Sequence, residues 1–117
     1  MRPMSASDEL FLYLTTTGRK SGAPHQIEIW FVQHGACYYV VAERREQADW
    51  VKNILHTPRV RFSVGIRADQ TSALPLTEAQ ARPLPADDPL AVTICALMDA
   101  KYDWSDGLIV ELRPLEG

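Results

Sequence analysis

LTTTGRKSG, residues 14–22, joins the end of a predicted strand to a turn bracketed by two glycines. The threonines suit a β-strand, and the turn carries Arg19, Lys20 and Ser21. A guanidinium, an ammonium, hydroxyls and free backbone N–H groups are the donors that bind an anion such as phosphate. The stretch lacks the glycine spacing of a Walker loop or a dinucleotide fingerprint. It therefore predicts either an anion site or a hairpin turn whose cations face water.

Strands are predicted on both sides of this turn. ELFLYLTT is a nearly continuous apolar run, which is typical of a strand covered on both faces. HQIEIWFV alternates, so Ile27, Ile29 and Phe31 are predicted to face the core, while Trp30 lies on a mixed face where a dimer contact is expected. CYYVVA follows a turn, and residues 9–42 are thus predicted to form an antiparallel meander.

The rest of the chain adds two helices and more strands. REQADWVKNILHTP has Ala48, Val51, Ile54 and Leu55 at helical spacing, and PLAVTICALMDAKY is a second predicted helix. RVRFSV and LIVELRP are predicted strands, QTSALPL is a weak one, and the prolines and small residues of TEAQARPLPADD indicate an irregular connection. The absence of a βαβ rhythm favours a mainly β fold, a small antiparallel β-barrel with two short helices.

Composition indicates one domain over residues 1–117, with a flexible arm at residues 1–8 and the irregular connection at residues 76–88. A chain of 117 residues leaves little room to enclose a large ligand alone, so a homodimer is expected. The net charge of −3 argues against nucleic acid as a partner. The chain has neither a long apolar run nor an apolar N-terminal core, so we expect a cytoplasmic protein that does not bind membranes.

No metal site is predicted. The two cysteines, Cys37 and Cys95, match no zinc spacing and are expected to be reduced. His25, His34 and His56 lie at a strand start, a turn and a helix end and share no ligand spacing.

The order of several motifs resembles a known family. LTTTGRKSG, then YYVVA, the helix start ADWVKNI and TPRVRFSV are similar to the deazaflavin-dependent nitroreductase family, over residues 12–65. That family belongs to the FMN-binding split β-barrels related to pyridoxamine 5′-phosphate oxidase. The ending KYDWSDGLIVELRP is also similar to the close of split-barrel flavoproteins.

The resemblance implies a homodimer that holds an 8-hydroxy-5-deazaflavin coenzyme, or alternatively FMN, in a groove between the subunits. On the matching motif, Arg19, Lys20 and Ser21 would hold the cofactor phosphate, with Thr16 and Thr17 beside them.

The family's helix start maps onto Trp50 and Asn53, which would lie near the cofactor. Simple helix packing is the alternative interpretation of Trp50. Residues 43–46, ERRE, stand where family members have glycine or small residues, which leaves the identity of the cofactor open.

The implied activity is hydride transfer between the reduced cofactor and a small organic acceptor. Flavin and deazaflavin cofactors carry this chemistry themselves, so no protein nucleophile is needed and no catalytic residue is assigned. Tyr102 and Trp104 could cover a flat ring or anchor the last loop, and Glu28 is interpreted as solvated. Two alternatives remain: an FMN-binding protein of the pyridoxamine-oxidase type, and a non-catalytic module that binds a flavin or a tetrapyrrole.

Overall fold

Seven antiparallel β-strands form one sheet, against which two α-helices pack. A computed structural model describes residues 10–66 and 76–115, so the predicted arm at residues 1–8 lies outside the described part. The strands are β1 (Leu10–Thr17), β2 (Pro24–Ile29), β3 (Phe31–His34), β4 (Cys37–Ala42), β5 (Arg59–Ile66), β6 (Thr77–Pro83) and β7 (Leu108–Pro114). The helices are α1 (Asp49–His56) and α2 (Pro89–Tyr102). The predicted mainly β, antiparallel architecture with two helices is confirmed.

The sheet curls into a barrel that is split between β2 and β3. The strand order is β2-β1-β5-β6-β7-β4-β3, and the two edge strands are consecutive in the chain, separated only by Trp30. The sheet must therefore curl until its edges approach each other at this residue. Within the meander predicted over residues 9–42, the antiparallel pairings of β1 with β2 and of β3 with β4 are confirmed. The continuous middle strand predicted at HQIEIWFV is wrong, because it breaks at Trp30 into β2 and β3. Inward and outward side chains keep alternating from β2 through Trp30 into β3, so the sequence pattern does not show where one strand ends and the next begins.

Apolar side chains from every strand fill the inside of the barrel, together with side chains from α1. The predicted inward direction of Ile27, Ile29 and Phe31 is confirmed, since all three pack in this core. The buried members are Leu12, Leu14, Phe31, Val40, Ile54, Val60, Phe62, Ala79, Ala81, Val110 and Leu112.

Helix α2 covers the outer face of β3, β4 and β7 and has the predicted bounds. Asp88 caps its start, because its side chain accepts a hydrogen bond from the Leu90 N–H at 2.8 Å. Ile94 and Met98 are fully buried against Val41 and its neighbours on the sheet. Neither helix of the described residues is long and apolar enough to cross a membrane.

Strand β6 replaces the irregular connection expected at residues 76–88, and that prediction is wrong over Thr77–Pro83. The strand alternates, with Ala79 and Ala81 buried and Glu78, Gln80 and Arg82 exposed. Alanine has a low intrinsic preference for strands, so the sequence gives a weak signal. Pairing with β5 on one side and β7 on the other supplies the backbone hydrogen bonds that make this segment a strand. Most of the weak strand predicted at QTSALPL lies outside the described residues.

Helix α1 closes one end of the barrel and follows a short 3-10 turn at Arg45–Gln47. Its buried residues are Val51, Asn53 and Ile54, whereas Leu55 is 59% exposed. Leu55, one of the four apolar residues at helical spacing, therefore lies outside the buried face of the helix. A polar residue, Asn53, occupies that face of the helix, and its partners define the candidate site.

Candidate functional site

The turn between β1 and β2 is held by its own backbone. The Gly18 N–H donates to the Ala23 carbonyl and the Gly22 N–H donates to the Gly18 carbonyl, each at 2.8 Å. Gly22 has a φ of +76°, which favours glycine. A Cβ on Gly18 would lie 2.7 Å from His25 Nε2, so only glycine permits His25 to pack against the turn. The turn is thus a defined structure that presents Arg19 toward α1.

Asn53 of α1 joins the helix to this turn. Its side-chain amide Nδ2 donates to Thr16 Oγ1 at 3.1 Å, and its Oδ1 accepts from the Arg19 backbone N–H at 3.2 Å and from Arg19 Nη1 at 2.9 Å. Asn53 and Thr16 are both buried. Because buried polar groups need partners, these bonds fix the position of α1 relative to the turn.

Arg19 also contacts the start of α1. Its Nη2 lies 3.4 Å from Asp49 Oδ1, and its Nη1 donates to the Asp49 carbonyl oxygen at 3.4 Å. The side chain of Arg19 is 26% exposed and that of Asp49 is 87% exposed. The guanidinium is therefore held in place by the helix while part of it remains accessible to a ligand.

Five of the seven predicted site residues line one polar cavity of about 480 Å³, namely Arg19, Lys20, Ser21, Trp50 and Asn53. They come from the glycine turn and from α1, which lie about 30 residues apart in sequence. Arg19 and Lys20 give this cavity two cations and Ser21 gives it a hydroxyl, which are donors that suit a phosphate or another anion, although the Asp49 carboxylate also lines it.

Thr16 and Thr17 lie elsewhere. Thr16 is buried behind Asn53, to which its hydroxyl is bonded, and so supports the cavity without lining it. Both threonines line a separate, smaller cavity beside Arg59 and Glu78. Alternation along β1 places these two neighbouring residues on opposite faces of the sheet.

A larger cavity of about 780 Å³ adjoins the polar one, and both are lined by Ile27, Asp49 and Trp50. We call the two together the groove. All three tryptophans of the chain line its larger part, with Phe11, Ile29 and Val41. The exposed charged residues Glu43, Arg44 and Asp49 lie at its rim, and the half-buried Glu28 also lines it. One end of the groove is thus cationic and the other is aromatic.

Trp30 stands at the split of the barrel and is stacked on Tyr102, with ring centroids 4.5 Å apart and an interplanar angle of 4°. Trp104 meets the Trp30 ring edge-on at 6.2 Å. The Tyr102 hydroxyl donates to the Phe31 carbonyl at 2.8 Å and accepts from the Phe31 N–H at 3.2 Å. Tyr102 therefore anchors the strand junction, whereas Trp104 lines the groove.

Sequence reasoning missed Glu28, which is half-buried at the groove. Glu28 and Tyr13 are direct neighbours across β2 and β1, and the Tyr13 hydroxyl donates to Glu28 Oε2 at 2.9 Å. Strand periodicity correctly placed Glu28 away from the barrel core. The register between β1 and β2 would have identified Glu28 as the neighbour of Tyr13, but a single sequence does not contain this register.

A second polar cluster lies outside the groove. The Tyr39 hydroxyl donates to Glu111 Oε2 at 2.9 Å, and Arg82 and Arg113 approach Glu111 Oε1 at 3.3 Å and 3.6 Å. Burial and the Glu111 carboxylate together raise the pKa of Tyr39 above its ordinary value of 10.0. This cluster connects the outer faces of β4, β7 and β6.

Within the described residues, no three histidine, cysteine or acidic side chains are grouped as metal ligands. Cys37 and Cys95 are unpaired.

The curled antiparallel sheet and its groove define a split β-barrel of the pyridoxamine 5′-phosphate oxidase type, as solved structures confirm. A putative pyridoxamine 5′-phosphate oxidase from Listeria innocua has a TM-score of 0.68 and 14% identity, covering 91% of this chain and 84% of that one. HutZ, the haem storage protein from Vibrio cholerae, has a TM-score of 0.71 and 22% identity, covering 92% and 82%. An F420 reductase has a TM-score of 0.62 and 20% identity, covering 92% and 87%. At these identities the likeness establishes the fold alone.

Residues 4–92 match the profile of the F420H(2)-dependent quinone reductase family, and the chain belongs to this family. The matched segment includes the glycine turn, β2 and α1, which line the groove, but it does not include Trp104. The predicted relationship to deazaflavin-dependent oxidoreductases is confirmed, although the matching family is named for quinone reduction and not for nitroreduction. No protein with a curated function matches this sequence.

Proposed function

We propose that this protein is a deazaflavin-dependent reductase that transfers a hydride from the reduced coenzyme to a small organic acceptor of the quinone type. The observation that carries the proposal is the continuity of the groove: a cationic cavity and a tryptophan-lined cavity share Ile27, Asp49 and Trp50. A coenzyme with a phosphate tail and a flat ring needs these two environments side by side. Membership of the F420H(2)-dependent family supports the deazaflavin over FMN.

The polar end of the groove would hold the tail of the coenzyme. Arg19 and Lys20 supply charge-assisted hydrogen bonds to a phosphate, and Ser21 adds a hydroxyl. Asn53 affects cofactor binding by positioning Arg19, because its Oδ1 accepts hydrogen bonds from both the backbone N–H and the guanidinium of that residue. Thr16 in turn positions Asn53, and Thr17 receives no role in this proposal.

The aromatic end would hold the ring and the acceptor. When bound, the coenzyme supplies the hydride, and the protein contributes orientation, electrostatics and the exclusion of water. Trp50 lies where the two parts of the groove meet, so it is placed to contact the ring. Trp30 and Trp104 form an apolar wall against which a flat acceptor can stack.

A homodimer would complete this end of the groove. Trp30, Glu43 and Arg44 are exposed at its rim, so the described chain alone does not enclose a ring. We therefore propose that a second copy covers the rim, with Trp30 at the contact. Sedimentation at micromolar concentration should give the mass of a dimer, and a monomer in the presence of saturating coenzyme would contradict the proposal.

Titration with the oxidised deazaflavin coenzyme and, separately, with FMN tests the cofactor assignment. Because all three tryptophans line the groove, quenching of their fluorescence reports occupancy directly. The double variant Arg19→Ala, Lys20→Ala should lose about ten- to a hundredfold in affinity for each bond removed. Raising the salt concentration should weaken binding more in the wild type than in this variant.

The matched control is Arg59→Ala, Arg61→Ala, which removes two cations on β5 that line a different cavity. It should bind the coenzyme as the wild type does. Tighter binding of FMN or haem than of the deazaflavin would contradict the proposal. Equal affinity of both double variants would exclude the glycine turn as the phosphate site.

A further inference from the structure

We propose that Glu28 is the proton donor to the acceptor molecule reduced in the groove. The inference rests on the proposed function and adds a catalytic residue to it. Four charged side chains of the described residues line the larger cavity: Glu28, Glu43, Arg44 and Asp49. Three of them are exposed at the rim, whereas Glu28 is half-buried. Its carboxyl is therefore the one that can meet an enclosed substrate.

The surroundings of Glu28 hold its carboxyl in a defined position. Tyr13, which is buried on β1 directly opposite, donates its hydroxyl to Glu28 Oε2 at 2.9 Å. Phe11, two residues before Tyr13, and Trp30, two residues after Glu28, also line the cavity. The Tyr13 hydroxyl and the neighbouring aromatic side chains thus hold the carboxyl at the cavity wall and limit its contact with water.

Reduction of a quinone requires a proton as well as a hydride. The hydride from the reduced coenzyme brings two electrons and one hydrogen, which leaves a negative charge on an oxygen of the acceptor. One proton must then reach that oxygen to give the neutral hydroquinone. The Glu28 carboxyl supplies it: its O–H bond breaks, an O–H bond forms on the acceptor, and the resulting carboxylate regains a proton from water at the exposed rim.

The same geometry predicts how a quinone should bind. Quinone oxygens accept hydrogen bonds but cannot donate them, so they bind a protonated carboxyl better than a carboxylate, which only accepts. The affinity for a quinone should therefore fall as pH rises through the titration of Glu28. Arg44, Glu43 and Asp49 also line the cavity, and Tyr13 bonds the Glu28 carboxyl. Any pH dependence that these groups cause should persist in Glu28→Gln, whereas the part due to Glu28 should disappear.

The test is equilibrium dialysis of a fully methylated benzoquinone, which does not add to thiols, against protein saturated with the oxidised coenzyme. No turnover occurs in this state, so the readout is binding alone. The wild type should lose affinity by at least about fivefold with rising pH, the loss expected for one hydrogen bond. Glu28→Gln should bind equally at every pH, because the amide always offers a donor.

Two further variants distinguish a titrating Glu28 from a structural one. Tyr13→Phe removes a donor that favours the carboxylate, so the pH midpoint of quinone binding should move upward. Glu78→Gln makes the same chemical change on β6, outside the groove, and should behave as the wild type. A merely structural Glu28 would not shift this midpoint.

The same pH dependence in the wild type and in Glu28→Gln would overturn the assignment of Glu28 and leave the proposed function standing. Failure of the wild type to bind the coenzyme would overturn the proposed function and this inference with it. If the coenzyme binds but no quinone does at any pH, the role of Glu28 as its proton donor is likewise refuted.

Discussion

Asn53 accepts two hydrogen bonds from Arg19, one from its backbone N–H at 3.2 Å and one from its guanidinium at 2.9 Å. Helix α1 and the glycine turn are thereby joined through one amide oxygen. The arginine predicted to bind a phosphate is thus positioned by the asparagine that the family resemblance placed near the cofactor.

Asn53→Ala should lower the free energy of unfolding by about 1–3 kcal/mol, because it leaves buried polar groups without a partner. It should also weaken coenzyme binding, since Arg19 loses its support. Leu55→Ala on the same helix removes an exposed side chain and should stay within about 0.5 kcal/mol of the wild type. Chemical denaturation measures both. Equal losses in the two variants would show that Asn53 contributes no more than an exposed residue of α1.

Asp49→Asn should increase affinity for the coenzyme about two- to fivefold. Asp49 lies 3.4 Å from Arg19 Nη2 and competes with a phosphate for the same guanidinium. The effect is small because the carboxylate is exposed and exposed ion pairs contribute up to about 1 kcal/mol. The control is Asp106→Asn, which removes an equally exposed partner of Arg45. Weaker binding by Asp49→Asn would show that this pair assists the ligand.

Tyr102→Phe should lower the free energy of unfolding by about 1–3 kcal/mol. The hydroxyl bonds both backbone groups of Phe31, and its removal leaves the Phe31 N–H unpaired while Lys101 still donates to the carbonyl at 2.9 Å. Thr93→Val removes an exposed hydroxyl from the same helix and should change stability by less than about 0.5 kcal/mol. Urea denaturation of the three proteins decides whether Tyr102 anchors the junction between β2 and β3.

Tyr39 should make stability depend on alkaline pH. Its pKa is raised in the folded state, so above pH 10.0 the unfolded chain loses this proton first. The stabilisation from Tyr39 is therefore fully present below pH 10.0 and decreases as pH rises beyond it. Tyr39→Phe should be less stable at neutral pH by about 1.5–3 kcal/mol, because it loses a bond to a carboxylate, and should show a shallower alkaline decrease. Thermal unfolding between neutral and alkaline pH measures both, and parallel curves would contradict the prediction.

Local patterns were enough to predict several elements. The alternation in RVRFSV and LIVELRP placed β5 and β7, and the proline and helical spacing at residues 89–102 gave the bounds of α2. The glycine turn was also predictable, since Gly22 occupies a positive φ that its position in the turn requires.

The errors share one cause, which is pairing between distant segments. β6 is a strand because β5 and β7 flank it, and HQIEIWFV is two strands because its halves have different neighbours. On α1, helical periodicity groups Leu55 with the apolar residues, but it cannot show that Asn53 is buried and bonded to Thr16 and Arg19 from distant segments.

The sequence by itself determined the antiparallel β class, the donor-rich turn and the resemblance to a deazaflavin-dependent family, since these depend on residue types and short spacings. Only the tertiary structure decided that Arg19 meets Asn53, that three tryptophans line one groove, and that Glu28 lies in it beside Tyr13. These contacts depend on the strand register and on the curl of the sheet. The register and the curl are both set by the packing of many residues that are distant in sequence, so a local sequence pattern cannot predict them.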